Sequence, residues 1–292
     1  MHMKSIDRII AKPTKAGMVG DGFRVFNYIP NGGIPQKRIS PFLMLDFNPA
    51  YDFPPAESGH LRGVDVHPHK GFETVTIAYK GSVAHYDSSG NSGIINPGDV
   101  QWMTAGRGIL HKEFHEKSYA KKGGLFEMVQ LWVNLPKKDK SVAPHYQAIT
   151  NNEMGKLVLE GNGGQVNIIA GDINGIKGPA STYTPINLFD IKLRARAEFE
   201  VSIPEDHHTA LLVINGSITV NNQQAIEHDF VLFKNDGIAV HLYAEQDSVI
   251  LLMSGEPIEE PIVSYGPFVM NTEGEIREAI MDFNLGKFGY LD

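Results

Sequence analysis

Two short patterns carry most of the chemistry open to this chain. His67-Pro68-His69 sets two imidazoles two residues apart, and His111-Lys112-Glu113 sets an imidazole and a carboxylate at the same spacing. On an extended backbone, residues two apart project to one face of a sheet, so each pattern would present its pair together. Two such strands facing each other would gather three nitrogens and one oxygen around a single ion. A donor set without sulfur suits iron, manganese, cobalt, nickel or zinc better than copper(I). Four protein ligands on a six-coordinate ion leave two positions open for substrate and dioxygen. Two plainer readings of the same residues stay open: a closed structural zinc tetrahedron, or histidines that serve only as hydrogen-bonded strand residues.

Composition narrows the field in the same direction. The chain has no cysteine, which removes disulfides, thiolate metal sites, iron–sulfur clusters and cysteine nucleophiles. Its twelve histidines are then the main candidates for metal or acid–base work. A formal net charge of −8 is a poor balance for gripping phosphates. The short basic clusters Lys121-Lys122 and Lys137-Lys138-Asp139-Lys140 read as solvated loops, and no zinc finger or basic zipper pattern is present. Direct nucleic-acid binding is therefore not expected. No apolar run approaches the ~18 residues of a membrane helix. The opening Met1-His2-Met3-Lys4-Ser5-Ile6-Asp7-Arg8 lacks the apolar core of a secretion signal, so a cytoplasmic location without membrane contact is the expectation.

The elements that must position the two patterns are strands. With 42% hydrophobic and 21% charged residues over 292 positions, the chain is globular and long enough for about two domains. Apolar, β-branched runs recur between Gly, Pro, Asn and Asp, as in Phe23–Tyr28, Thr74–Tyr79, Val129–Val133, Ala210–Ile214 and Val249–Met253. Turn signals such as Ser89-Gly90-Asn91, Asn96-Pro97-Gly98-Asp99 and Asn235-Asp236-Gly237 separate them. This is the pattern of an all-β sandwich or barrel. One helix is signalled near the end, capped by Thr272 with Glu275 three residues on, with Ile276, Ala279, Ile280 and Phe283 on one face and Gly286 as a stop.

A polar stretch from Lys137 and the turn Gly161-Asn162-Gly163-Gly164 suggest two domains, 1–150 and 151–292. The halves repeat each other weakly: Tyr79-Lys80-Gly81-Ser82-Val83 matches Ile214-Asn215-Gly216-Ser217-Ile218, and Gly98-Asp99-Val100 matches the neighbourhood of Asp229-Phe230-Val231. Aligned this way, Ser202 and Pro204 stand opposite His67 and His69, while His241 and Tyr243 stand opposite His111 and Glu113. The second half thus keeps one of four ligand types. Its His207, His208 and His241 are expected to be surface or hydrogen-bonded residues rather than ligands.

The block from His67 to Val75, with Gly90-Asn91-Ser92-Gly93, Pro97–Gly108 and His111-Lys112-Glu113, resembles the signature of the pirin family within the cupin superfamily. Glu256-Pro257-Ile258 and Gly266–Thr272 in the C-terminal half look pirin-like as well, so the resemblance runs from Pro41 to Gly289. It implies an all-β bicupin, two stacked antiparallel β-barrel (jelly-roll) domains with a short C-terminal helix. The metal would sit in the N-terminal barrel only, and the C-terminal barrel would be a degenerate partner. Carried over residue by residue, the family's ligands fall on His67, His69, His111 and Glu113. One divalent ion is implied, iron(II) first, with manganese, cobalt, nickel, copper or zinc as other occupants.

The activity that the resemblance implies is a quercetin 2,3-dioxygenase type of oxidoreductase, opening a flavonol with O₂. In that role Glu113 would be the catalytic base that takes the flavonol's hydroxyl proton. Small phenolic substrates other than quercetin fit the same reading. The alternative is a non-catalytic iron-binding regulator, acting through a protein partner and responding to the redox state of the ion. Glu73 is a candidate for an outer contact to a ligand histidine, and Phe42, Leu43, Met44, Phe72 and Phe126 are candidates for pocket walls.

Overall fold

The computed structural model describes residues 2–57 and 59–292. An N-terminal strand β1 (Ile6–Ile10) is followed by β2 (Gly17–Val19), β3 (Phe23–Ile29) and the long β4 (Phe42–Phe53). Next come β5 (Gly63–His69), β6 (Phe72–Lys80), β7 (Val83–Asp87), β8 (Ser92–Ile95), β9 (Val100–Thr104) and β10 (Ile109–His115). A short helix α1 (Lys117–Lys122) leads into β11 (Gly124–Asn134) and β12 (His145–Ile149). The chain continues through β13 (Gly155–Leu159), β14 (Gly164–Ala170), the two-residue strands β15 (Asp172–Ile173) and β16 (Ile176–Lys177), and β17 (Ile186–Leu193). Then follow β18 (Glu198–Ser202), β19 (His208–Asn215), β20 (Ser217–Val220), β21 (Gln223–Ile226), β22 (Phe230–Phe233), β23 (Ala239–Ala244) and β24 (Ser248–Gly255). A small hairpin, β25 (Val263–Tyr265) and β26 (Phe268–Met270), precedes the helix α2 (Glu273–Asn284).

These elements form two compact units. One contains residues 14–37, 42–150 and 258–292, and the other contains the chain up to Pro13, residues 38–41 and 151–257. The chain passes between units at Thr150/Asn151, where the sequence suggests a division. It also passes between them near both ends, so the units are not two consecutive halves. The reason is strand pairing: β1 lies antiparallel against β22, with Ile9 opposite Val231, and so completes a sheet of the second unit.

Each unit is an antiparallel jelly roll of one seven-stranded and one four-stranded sheet. In the first, the orders are β12-β9-β6-β11-β4-β3-β2 and β5-β10-β7-β8. In the second, they are β1-β22-β19-β24-β17-β14-β13 and β18-β23-β20-β21. The orders correspond strand for strand, so the weak internal repeat is a duplicated fold. Within each unit the sheets stay separate rather than closing into a continuous hydrogen-bonded barrel. The matched corners share a physical cause: Gly81 (φ 72°) follows β6 and Gly216 (φ 91°) follows β19 where the chain leaves the seven-stranded sheet for the four-stranded one, both in left-handed backbone that side chains disfavour.

The interiors differ. The second unit is filled with apolar side chains, among them Phe189, Phe199, Leu211, Phe233 and Leu242, and β1 adds Ile6 and Ile9 against them. Fully burying such a side chain is worth about 1.5–3 kcal/mol each, so this interior is a stabilising core. In the first unit, Phe23, Phe53, Val83, Phe126 and Met128 pack one end, leaving a cavity beside the two metal-type patterns. The C-terminal helix forms where expected: Thr272 and Glu275 make a reciprocal capping box, and Ile276 and Ala279 are buried. Among the described residues, no helix is long and apolar enough to cross a membrane.

Candidate metal centre

Both patterns lie on neighbouring strands of the four-stranded sheet. β5 and β10 pair antiparallel, so that His67 faces His111 and His69 faces Ile109. Along β10 the burial alternates strictly, turning Ile109, His111, Glu113 and His115 inward and Leu110, Lys112 and Phe114 toward the half-exposed side. Ring centroids of His67 and His111 are 4.2 Å apart, those of His69 and His111 4.7 Å, and those of His67 and His69 4.9 Å. One ring nitrogen from each of the three lies within 4.8 Å of the others.

Glu113 sits elsewhere in the cluster than the simple spacing argument suggests. The β5–β10 register slips between His111 and Glu113, so that Glu113 stands opposite Val64 instead of Asp65. On the other side of β10, β7 pairs Glu113 with His85 and His111 with Asp87. Glu113, His111 and His85 therefore make a second close group of ligand atoms, sharing His111 with the first. Thr76 Oγ1 donates to Glu113 Oε1 at 3.3 Å and to Gln130 Oε1 at 2.9 Å.

His85 is the residue that sequence reasoning missed. It is fully buried, stacks on Tyr146 with ring centroids 5.1 Å apart, and brings Nδ1 to 3.5 Å from His111 Nδ1. Its Nε2 lies 3.5 Å from Asp87 Oδ2. Burial works against the Asp87 carboxylate, yet hydrogen bonds from His85, Asn91 and the Asn91 and Ser89 amides hold its pKa below the usual range. A fixed anion there favours the proton of His85 on Nε2, leaving Nδ1 to accept from His111 Nδ1–H and His111 Nε2 with a lone pair. The sequence carried one signal for this: His85-Tyr86-Asp87 repeats the two-residue spacing of the other patterns.

The three imidazoles suit a cation. Burial, then the nearby His67, pushes the His69 pKa well below its ordinary value. Burial, then His69 and His67, does the same to His111. Both are held neutral, the form that ligates metal. His69 Nδ1 and His111 Nε2 are buried with no hydrogen-bond partner in the protein. His67 Nδ1 lies 2.8 Å from the Asp65 carbonyl oxygen, which leaves Nε2 unengaged by that contact. Their spread is close to that of ligands ~2.1 Å from one ion, and the all-nitrogen-and-oxygen donor set fits a borderline divalent cation. His69 is braced edge-on by Phe72 at 5.1 Å and Trp132 at 5.3 Å.

The site opens on a cavity of about 380 Å³, within the range of small-molecule pockets. Its metal-side wall is His67, His69, His111 and Glu113, and Val64 extends it along β5. The opposing sheet presents Met44, Asp46 and Asn48 from β4 beside Trp132, Gln130 and Met128 from β11. Of the apolar residues singled out from sequence, Met44 lines the cavity, while Phe42, Leu43, Phe72 and Phe126 are 0–1% exposed and pack the core. Glu73 accepts from Thr104 Oγ1 at 2.7 Å rather than from a ligand histidine. His115 meets the Gly22 carbonyl oxygen at 2.9 Å among Phe23, Phe53 and Phe126, so it is core.

The second unit offers no such cluster among the described residues. His241, aligned with His111 by sequence, falls on the half-exposed side of β23, 3.6 Å from Glu198 Oε2. Val240 and Leu242 take the inward positions instead. A one-residue shift in a strand turns a side chain to the other face, which is why the alignment misplaced it. His207 Nδ1 lies 3.3 Å from Ser254 Oγ, and His208 Nδ1 lies 2.8 Å from the Ser40 carbonyl oxygen.

Comparison with known proteins agrees over nearly the whole chain. Residues 22–133 match the Pirin family model, and residues 188–289 match the Pirin C-terminal cupin domain. A Pseudomonas aeruginosa protein named, provisionally, a quercetin 2,3-dioxygenase is 45% identical, the match covering 92% of this chain and 93% of that one. Human pirin is 39% identical over 93% of this chain and 90% of its own. A crystal structure of a quercetin 2,3-dioxygenase from Acinetobacter baumannii superposes with a TM-score of 0.92 at 44% identity, covering 100% of both chains. Matches of this length, over both jelly rolls and the strands that carry the imidazoles, mean that the chain belongs to the pirin family.

Proposed function

We propose that this protein is a metal-dependent dioxygenase of the quercetin 2,3-dioxygenase type, with His67, His69, His111 and Glu113 holding one iron(II). The observation that carries this reading is the three buried or half-buried imidazoles opening on a cavity large enough for a small aromatic molecule. The names of the Pseudomonas and Acinetobacter relatives support it.

When bound, the ion supplies Lewis acidity toward the flavonol's enolic hydroxyl and redox access to dioxygen. The remaining work belongs to the chain. Glu113 takes the hydroxyl proton as general base, and Thr76, donating to Oε1, keeps the other carboxylate oxygen aimed at that proton. Val64, Met44, Met128 and Trp132 exclude water from the electron-rich ring, so that the proton stays on Glu113 rather than returning from solvent. Phe72 and Trp132 fix the His69 ring. His85 and Asp87 fix the tautomer of His111.

The test is direct. Iron-loaded protein mixed with quercetin should bleach the flavonol absorbance, consume O₂ in proportion and release carbon monoxide. Absence of turnover with every divalent metal tried would overturn the enzymatic reading and leave the regulator as the better account.

A further inference from the structure

The floor of the cavity is mostly apolar, and the exceptions form an ordered stripe. Asp46 on β4 stands directly opposite Gln130 on β11, and Gln130 in turn stands opposite Thr76 on β6. Asn27 on β3 flanks Asp46 from the other side and donates from Nδ2 to Asp46 Oδ1 at 2.7 Å. Two residues along β4, on the same face, Asn48 also lines the cavity.

Asn48 differs from its neighbours. It is 2% exposed, and neither its amide nitrogen nor its amide oxygen has a hydrogen-bond partner in the protein. Because both atoms are unpaired, the conclusion does not depend on which is nitrogen and which is oxygen. A buried amide left without partners is costly, and a leucine of similar size would fill the same space without that cost. The position is also one where an apolar residue would fit, since Met128 is its cross-strand partner. A donor and an acceptor side by side, facing a cavity from one rigid strand, are complementary to a ligand that carries a hydroxyl next to a second oxygen.

We infer that Asn48, with Asp46 beside it, is the recognition subsite for adjacent hydroxyl groups on a planar phenolic ligand. The inference rests on the small-phenol reading of the cavity and adds which substituents the protein selects. The Asn48 amide N–H donates to one hydroxyl oxygen while its carbonyl oxygen accepts from the neighbouring O–H. Asp46, held by Asn27 and lifted by burial toward the protonated form, supplies a further polar contact. The metal-side wall takes the reacting end of the molecule, and the stripe on the opposing sheet reads its substitution.

Two ligand series test this on the metal-loaded full-length protein. Quercetin, kaempferol and galangin share the reacting end and carry two, one and no hydroxyls on the pendant ring, and their KM values report on substrates. Luteolin, apigenin and chrysin repeat that series without the 3-hydroxyl, and their Kd values report binding without turnover. The wild-type protein is expected to prefer the adjacent-hydroxyl member of each series over the unsubstituted one by about tenfold, the worth of one or two net hydrogen bonds. Asn48→Leu should collapse that preference to about onefold, and Asn48→Asp, which keeps oxygen acceptors, should retain an intermediate ratio. Metal content checks that each variant is folded. Full preference retained in a metal-loaded Asn48→Leu, or no preference in the wild type, overturns the subsite. Luteolin preference lost in Asn48→Leu without any flavonol turnover would keep the subsite and overturn the dioxygenase reading.

Discussion

His67 on β5 and His111 on β10 are direct cross-strand partners, their ring centroids 4.2 Å apart and their planes inclined at 54°. His69, two residues along, completes the group with its own ring 4.7 Å from His111. His69→Ala should therefore strip the metal, because it removes one of three converging imidazoles. His207→Ala should leave metal content at the wild-type level, since His207 lies in the other unit against Ser254. Metal analysis of the purified variants decides, and equal loss in both would sink the assignment.

His85→Phe keeps a ring against Tyr146 but removes the nitrogen that faces His111. Loss of such an outer contact to a ligand typically weakens metal binding about 10–100-fold. Chelator competition should show that weakening, with the thermal midpoint of the metal-free protein little changed.

Glu113→Gln preserves shape and one oxygen acceptor for Thr76 while abolishing the proton acceptor. Flavonol turnover per bound metal should fall by about 10²-fold or more, as expected for loss of a general base. Normal turnover at equal metal content would show that Glu113 does not take the proton.

Glu73 is fully buried on β6, and burial raises its carboxyl pKa to about 7 despite the hydrogen bond from Thr104. Between its ordinary value of 4.5 and about 7, the folded chain holds a proton that the unfolded chain has lost. Stability therefore falls as pH rises through this window and levels off above it. Glu73→Gln should flatten the dependence, gaining on wild type by on the order of 3 kcal/mol between pH 4 and pH 8. Urea midpoints across that range measure it.

Asp282 on α2 joins Lys70 at 2.8 Å and Lys287 at 2.7 Å. Lys70 is 7% exposed, so Asp282→Ala would leave a buried cation unpaired at a cost of about 3–5 kcal/mol. Thermal unfolding should show the loss, and the double change Lys70→Met with Asp282→Leu should recover most of it. A double variant as unstable as Asp282→Ala would argue against the ion pair as the cause.

Much of the first unit was legible because strand alternation is local. The spacing in His67-Pro68-His69 fixes a shared face before any partner strand is known, and the sequence of His111-Lys112-Glu113 does the same. Thr272, Glu275 and Ile276 announced α2 by the same kind of local rule. The repeat of Gly81-Ser82 in Gly216-Ser217 revealed the duplication, since each glycine turns the chain from one sheet to the other in left-handed backbone.

What spacing leaves open is which strand lies next to which, and that is settled by long-range pairing. β7 beside β10 brings His85 to both His111 and Glu113, and the register between β5 and β10 slips just before Glu113. β1 crosses to pair with β22, so the units exchange their terminal segments along the chain. Asn48 reads in sequence as one polar residue in a strand, and only the sheet opposite makes it an unpaired amide facing a cavity. Residue order fixed the faces, by a period of two, and tertiary packing chose the neighbours, because hydrogen bonds between strands join residues far apart in the chain.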